Sequence, residues 1–422
     1  MDIIFLGGLF PKDKEDEIIN NSIVSIQNAA NNLQWEFVNG LDMNLSKPIK
    51  IVNSLYIGSF PKRYKKMFIK TYNFNHSNHI SHDVNVGFIN LPLIKNYSRY
   101  KSLISHFNKW SLEDSTSIKV VIAYAMTITF THLLRYVKKL NRNIITCLIV
   151  PDLPQYMNNS YKMQPIYTFA KNIEIALIKH DLKYIDSYVL LTEYMKELLN
   201  ISVPYVVIEG ISTRLFDDIK MSNQKNNIKT ILYTGGLNEK YGVIKLVKAF
   251  EKLENQDCQL ILCGSGDAEN YIIKAANRDS RIIYKGLIKR EDVLALQKSA
   301  TVLVNPRPNN EEYTKYSFPS KNLEYMSSGT PVISYKLDGM PSDYDEHLYL
   351  IMDDLVDDEA LYNKLKEVVE LPDELLREKG LRARKFVMEE KNCVYQTKKI
   401  LDMITKIADS KEKIFSIDTL TQ

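Results

Sequence analysis

The sequence predicts an α/β protein built from two doubly wound, parallel-sheet domains, and three observations carry that prediction. Short apolar runs alternate with amphipathic stretches through most of the chain. The length, 422 residues, exceeds one comfortable core, so two domains of about 200 residues each are expected. Several apolar runs end in glycine or proline turns: Gly7-Gly8, Gly235-Gly236, Gly264-Ser265-Gly266 and Asn305-Pro306-Arg307. In sheets of this kind ligands bind beyond the C-terminal ends of the strands, where such turns lie.

In the first half, strands are expected at Ile3–Leu6, Trp35–Val38, Ile51–Ile57, Val84–Leu91, Lys119–Ala125, Ile144–Val150, Ser187–Leu191 and Tyr205–Ile208. Between them lie a long segment, Asp16–Asn32, and helical patterns at Met126–Leu140, Met163–Lys179 and Glu193–Leu199. Gly7 and Gly8 follow the first strand. They form either a tight strand-to-helix turn or a loop on the acceptor side of a site. The spacing is not GxGxxG and no acidic residue follows suitably, which disfavours an NAD-dependent oxidoreductase. Asp152 lies in the turn Pro151-Asp152-Leu153-Pro154, where turn chemistry and a ligand-facing role are both open. The polar run Asp217–Asn227 reads as a linker.

The second half opens with a strand from Lys229 and the turn Gly235-Gly236, followed by a helix from Val243 to Leu253. Glycines there let the backbone approach a ligand, and the helix start offers free N–H groups to a phosphate; a plain structural turn is the alternative. Gln259–Cys263 and Arg281–Tyr284 are further strands, ending at Gly264 and at Gly286-Leu287. Thr301–Val304 leads to Arg307, an always-charged planar donor at a strand end, which suits a diphosphate or stands as an ordinary surface arginine. Three helices close the chain: Glu359–Glu370, Asp373–Glu390 and Val394–Ile407.

The densest stretch is Ser317–Tyr335, SFPSKNLEYMSSGTPVISY. A helix start is expected within Ser317–Ser320, with a serine accepting the first free N–H groups. Gly329 and Pro331 stop it. Leu323 and Met326 mark the core stripe, while Lys321 and Glu324, three apart, share another face. That pairing is either a solvated ion pair or one wall of a site for a ligand carrying phosphate and hydroxyls.

Composition narrows the classes. Hydrophobic content of 45% and charged content of 25% are those of a soluble globular chain. A net charge of +4 gives no argument for nucleic acid. Cys147, Cys258, Cys263 and Cys393 show neither metal spacing nor a redox pair, which fits a reducing cytoplasm. Met1 leads directly into a strand pattern rather than a signal peptide. No apolar run reaches the roughly 20 residues of a membrane span, so any membrane role is expected to be peripheral. The basic run Lys62, Arg63, Lys65 and Lys66 is either a solvated loop or a contact for anionic head groups.

The segment "PSK, two residues, EY, four residues, G-T-P-V-I", at Pro319–Ile333, resembles the donor-binding segment of glycosyltransferase family 4. The similarity extends over Tyr188–Tyr335. It implies the two-domain GT-B fold, two Rossmann-like domains facing a cleft: 1–215 for the acceptor, a linker at 216–228, 229–392 for the nucleotide sugar, and 393–422 as a helix crossing back. It implies a retaining transfer from a nucleotide sugar, UDP favoured over GDP, to a glycan or lipid-linked acceptor in surface polysaccharide synthesis. Placement would be cytoplasmic or peripheral at the inner face of the membrane. No cofactor or metal is implied.

By the resemblance, Glu324 holds the donor ribose, and Asp152, Arg307 and Lys321 act at the reacting end. Gly235, Gly236, Lys240, Gly264, Gly286, Leu287, Tyr316, Ser317, Phe318 and Ser320 line the donor, with Gly7 and Gly8 on the acceptor side. The chain departs from the family pattern in three places. Gly236 and Tyr241 stand where an Arg and a Lys are usual, with Lys240 the candidate substitute. Tyr316 stands where a second Glu is usual. A catalytically silent binding partner and a GT-B sugar-nucleotide epimerase remain as alternatives.

Overall fold

The computed structural model describes residues 1–24, 26–77, 81–113, 117–153, 165–214, 216, 217, 219, 228–352 and 358–420. Most of the expected linker, and Pro154 of the expected turn, fall outside these. By internal contacts the chain forms two units, Met1–Ile208 with Cys393–Gln422, and Glu209–Asn392.

The first unit contains β1 (Asp2–Gly7), α1 (Glu15–Asn21), α2 (Asn28–Asn44), β2 (Lys50–Asn53), β3 (Phe68–Ile69), β4 (Tyr72–Phe74), β5 (Asp83–Asn85) and β6 (Phe88–Ile89). It continues with α3 (Lys95–Leu112), β7 (Lys119–Tyr124), α4 (Ile128–Leu140), β8 (Ile145–Val150), α5 (Pro165–Asp181), β9 (Ser187–Leu190), α6 (Tyr194–Leu198) and β10 (Tyr205–Val207). The main sheet runs β10-β9-β8-β7-β1-β2-β5-β4. Its pairs are parallel except for β4 against β5. Apart from Asp2, Lys119 and Thr146, β1, β7 and β8 are apolar, and they are almost wholly buried, as strands covered on both faces require.

Two expectations fail here. Trp35–Val38 is not a strand but the middle of α2. The stretch, in which Glu36 interrupts three apolar residues, sits inside a longer window where Asn31, Gln34, Trp35, Val38 and Leu41 are buried, a helical spacing. Val84–Leu91 is not one strand either. β5 joins the main sheet, while β6 pairs antiparallel with β3 in a separate two-stranded ribbon.

The second unit contains β11 (Lys229–Thr234), α7 (Val243–Glu251), β12 (Cys258–Cys263), α8 (Glu269–Arg278), β13 (Ile282–Gly286), α9 (Arg290–Ser299) and β14 (Val302–Asn305). Then come α10 (Ser320–Ser327), β15 (Val332–Tyr335), β16 (Tyr349–Ile351), α11 (Asp358–Val369) and α12 (Asp373–Glu390). Its sheet, β13-β12-β11-β14-β15-β16, is parallel throughout. The sequence places residues 209–215 with the first domain, but Glu209 packs in the second. Its carboxylate is buried, 2.6 Å from Lys391 Nζ, and accepts a 2.7 Å hydrogen bond from Tyr344. The chain thus enters and leaves this unit through one ion pair.

The last helix, α13 (Cys393–Leu420), packs along α2 of the first unit. Asn44 Nδ2 fastens it, donating to Val394 O at 2.8 Å and to Thr397 Oγ1 at 3.0 Å. No helix among the described residues is long and apolar enough to cross a membrane.

Candidate functional site

In chain order, the second unit's strands lie third, second, first, fourth, fifth, sixth. The order reverses between β11 and β14. Loops leaving those two strands diverge to opposite faces and open a crevice at their C-terminal ends. Gly235 and Gly236 follow β11; Pro306 and Arg307 follow β14.

Backbone packing dictates the glycines at this edge. Gly235 and Gly264 take φ values of +141° and +136°. A Cβ on Gly264 would lie 1.8 Å from Gly235 O, and one on Gly235 would lie 2.0 Å from Lys321 Nζ. The two loops therefore touch backbone to backbone, with the lysine head against the first. Gly286 O accepts a 2.8 Å hydrogen bond from Gly264 N, adding the β13 turn to the same edge. The carbonyl of Gly236 accepts one from Tyr233 OH at 2.8 Å.

α10 presents Lys321 and Glu324 here, and Thr234 is the residue both helices grip. Lys321 Nζ donates to Thr234 O and lies 5.4 Å and 5.7 Å from the rings of Tyr233 and Tyr325. Burial lowers its pKa, and the nearby Glu324 charge only partly opposes that. Tyr325 OH accepts from Thr234 N at 2.9 Å. Gln297 Nε2 on α9 donates to Thr234 Oγ1 and to Glu324 Oε1, each at 2.7 Å. Arg290, also on α9, donates from Nη2 to Glu324 Oε2 at 2.8 Å. Desolvation pushes the Glu324 carboxyl up, but Arg290, Gln297 and Lys321 outweigh it and hold the pKa below the ordinary value. The result is a fixed carboxylate and a desolvated cation on one helix face, at the switch point of a parallel sheet.

The helix begins at Ser320 with Pro319 at the cap, and no serine side chain caps it. The expected serine cap fails because Ser317 Oγ is committed elsewhere. It accepts from Arg307 Nη2 at 2.8 Å and donates to Tyr313 O at 3.2 Å. Arg307 also lies 5.0 Å over the Tyr313 ring, and its Nε is buried without a partner among the described residues. Gly329 closes the helix at φ +80°, as expected.

Other expected residues lie apart from this cluster. Phe318 is buried, its ring 5.0 Å from Tyr344, so the side chain belongs to the core. Lys240 is exposed and lies 5.1 Å over the Tyr241 ring. Leu287 is 79% exposed, Tyr316 is half-buried, and Ser320 is exposed in the first turn of α10. No described hydrogen bond joins Lys240 or Leu287 to Lys321 or Glu324.

In the first unit Gly7 and Gly8 are buried, and Gly8 N donates to Gln34 Oε1 at 2.8 Å. Asp152 stands exposed just past β8. The protein around it still withholds enough water to raise its carboxyl pKa by desolvation. In the basic run, Lys65 Nζ donates to Asn20 O at 2.7 Å and Lys66 Nζ lies 2.6 Å from Glu17, so both fold back on α1. Lys62 and Arg63 are exposed, and neither pairs with a carboxylate among the described residues.

Sequence reasoning missed Arg290 and Gln297. Their seven-residue spacing puts them on one face of α9, which was the available signal. Among the described residues no group of three or more His, Cys, Asp or Glu side chains could hold a metal ion.

Residues 216–386 match the family model described as glycosyl transferases group 1. No curated protein matches the chain in sequence. Solved structures match its fold. The sucrose-phosphate synthase of Thermosynechococcus elongatus is 15% identical, with 99% of this chain and 100% of that one covered and a TM-score of 0.59. The lipopolysaccharide outer core galactosyltransferase WaaB is 14% identical over 96% of this chain and 99% of that one, at a TM-score of 0.59. Anabaena Alr3699/HepE, solved in complex with UDP, is 11% identical over 96% of this chain and all of that one, at 0.58. The fold is thus that of the GT-B glycosyltransferases, and in residues 216–386 the chain is similar in sequence to glycosyl transferases group 1.

Proposed function

We propose that the chain is a retaining glycosyltransferase that moves a sugar from a nucleotide sugar, UDP-linked by preference, to a glycan or lipid-linked acceptor. The observation that carries the reading is the Lys321–Glu324 face of α10 at the switch point between β11 and β14. In the proposal Glu324, oriented by Gln297 and Arg290, holds the ribose hydroxyls. That fixes the anomeric carbon, an orientation effect rather than proton transfer. Lys321 and Arg307 meet the charge that grows on the diphosphate as the glycosidic bond breaks, without a metal. The Nε of Arg307, without a partner among the described residues, is a donor left for that purpose.

The departure of greatest consequence is Gly236 and Tyr241, which leave the β11 loop without cations of its own beyond the exposed Lys240. Lys321 and Arg307 then carry more of the diphosphate charge. The same departure favours a second reading, a GT-B binding partner with no activity of its own. The reading places the protein in the cytoplasm, with Lys62 and Arg63 the part of the basic run available for peripheral contact with anionic lipid.

A thermal-shift panel of UDP, GDP, ADP and their sugars tests the proposal. One nucleotide class should stabilise the chain by mass action. Glu324→Ala should abolish the shift. Unchanged binding by that variant would remove the ribose assignment, and binding without transfer to any acceptor by the purified chain would favour the inactive partner.

A further inference from the structure

A second site emerges from an imbalance of charge in the first unit. Arg99, in the second turn of α3, is only 6% exposed. Its Nε donates to Ser54 Oγ at 2.8 Å, and its Nη2 to Ser54 O and, at 3.4 Å, to Leu55 O. The guanidinium is enclosed by the rings of Tyr56, Phe88 and Phe130 at 5.4, 5.3 and 5.8 Å. No carboxylate pairs with it among the described residues, and Nη1 donates to none of them. Buried charges are ordinarily paired, because an isolated ion in a low-dielectric surround is costly. Here the described residues supply hydrogen bonds and no counter-ion.

The imbalance grows outward. Lys95, one helical turn earlier, is half-buried with its Nζ on Ile57 O. Burial, then Arg99, then Arg63 push its pKa down to about 7, and no acidic group opposes them. Arg63 is exposed and close enough for its charge to act on Lys95. α3 begins at Lys95 without a side-chain cap, so its helix dipole adds positive potential where cations are already crowded.

The position is telling. Tyr56 OH donates to Tyr124 O at 2.7 Å and accepts from Ala125 N at 3.0 Å, so its ring spans from the end of β2 to the end of β7. Ser54 N donates to Gly7 O at 2.8 Å, and Tyr56 N to Gly8 O at 3.0 Å. A Cβ on Gly8 would meet the Tyr56 ring at 2.2 Å, which accounts for the glycine. β2 and β7 flank β1 on opposite sides, so the cluster sits at this sheet's own switch point. A dianionic phosphoryl group balances such a cluster better than a monoanionic carboxylate.

We propose that Arg99, Lys95 and Arg63 form a phosphoryl-binding site and, resting on the glycosyltransferase reading, that the acceptor brings its phosphate there. A soluble sugar phosphate and a lipid-linked phosphate head group share this chemistry.

The test uses the full chain, with inorganic pyrophosphate titrated against sodium chloride at matched ionic strength and followed by calorimetry. Pyrophosphate should bind the wild type and still bind after Lys321→Met removes the donor-site cation, and in that background Lys95→Gln should weaken it by about tenfold, the loss of one charge-assisted contact. Gln can still donate to Ile57 O, so this variant should fold. Arg99→Lys, which keeps the charge and loses the fork, should weaken it further. Glu324→Gln should bind pyrophosphate as the wild type does, and Lys95→Gln should keep its nucleotide response. Loss of nucleotide binding throughout, with pyrophosphate binding intact, would remove the glycosyltransferase reading and leave this site standing. A pyrophosphate response that Lys95→Gln and Arg99→Lys leave unchanged, or that chloride reproduces, would overturn the site. Vesicles of phosphatidate in phosphatidylcholine separate the sources. Co-sedimentation lost in Lys95→Gln assigns a lipid head group, and pyrophosphate binding without co-sedimentation assigns a soluble ligand.

Discussion

Arg290 Nη2 lies 2.8 Å from Glu324 Oε2, while Gln297 Nε2 takes the other carboxylate oxygen at 2.7 Å. Both oxygens of the proposed ribose ligand are thus held from α9, one at a partly exposed rim and one in the interior. The two partners differ sharply in what they hold. The Arg290–Glu324 pair is solvent-screened, and Arg290→Ala should cost under about 1 kcal/mol of stability. Gln297 is fully buried and bridges Glu324 to Thr234. Gln297→Ala should cost about 2–3 kcal/mol, from a cavity and two acceptors left without their donor. Urea denaturation of the two variants checks the contrast; equal losses would contradict it.

Gly264→Ala and Gly235→Ala should separate stability from binding. Both force a side chain into a positive φ. At Gly264 the added carbon meets a backbone carbonyl that cannot yield, so a loss of about 3 kcal/mol or more is expected. At Gly235 it meets the mobile end of Lys321. There the fold should survive better and nucleotide affinity should fall more. Thermal unfolding with and without nucleotide measures both.

Lys321→Met should leave stability unchanged or raised while removing nucleotide binding. Burial already disfavours the ammonium, and methionine fills similar volume without that cost. A clear loss of stability would show that the cation serves the fold rather than a ligand.

His76 should make the first unit less stable in alkali. Burial alone would lower its pKa, but hydrogen bonds to Asp42 at 2.9 Å and Asp83 at 2.6 Å outweigh that and raise it to about 9. A folded pKa above the unfolded value of about 6.5 gives stabilisation that is full below that value. It fades as the pH rises through about 9 and is worth up to about 3 kcal/mol. Urea midpoints of wild type and His76→Gln between pH 6 and 10 should converge at the alkaline end; parallel curves would contradict the assignment.

Much of the second unit was legible because its signals are local. Lys321 and Glu324 are three residues apart on one helix, and Gly329 stops that helix within the same stretch. The partners of Glu324 were not legible, since Arg290 lies 34 residues away and meets it only when α9 packs beside α10. Phe318 reads as a ligand contact by motif, yet Tyr344 takes its ring in the core. Trp35–Val38 misled for the opposite reason: three apolar residues around Glu36 are too short a window to show the period that identifies a helix. Nothing in the sequence marks Arg99 out, since its burial depends on residues far from it in the chain. Only the closing of Tyr56, Phe88 and Phe130 around it shows a buried cation.

The central claim is that Glu324 holds the ribose of a nucleotide. The direct measurement is a calorimetric cycle: wild type and Glu324→Gln, each titrated with the stabilising nucleoside diphosphate and with its 2′,3′-dideoxy form. Glu324→Gln should weaken the ribonucleotide by about tenfold or more, the worth of a charge-assisted hydrogen bond. It should leave the dideoxy form nearly unaffected. Equal loss for both forms would mean that the carboxylate does not touch the ribose, and the account of the site would fail.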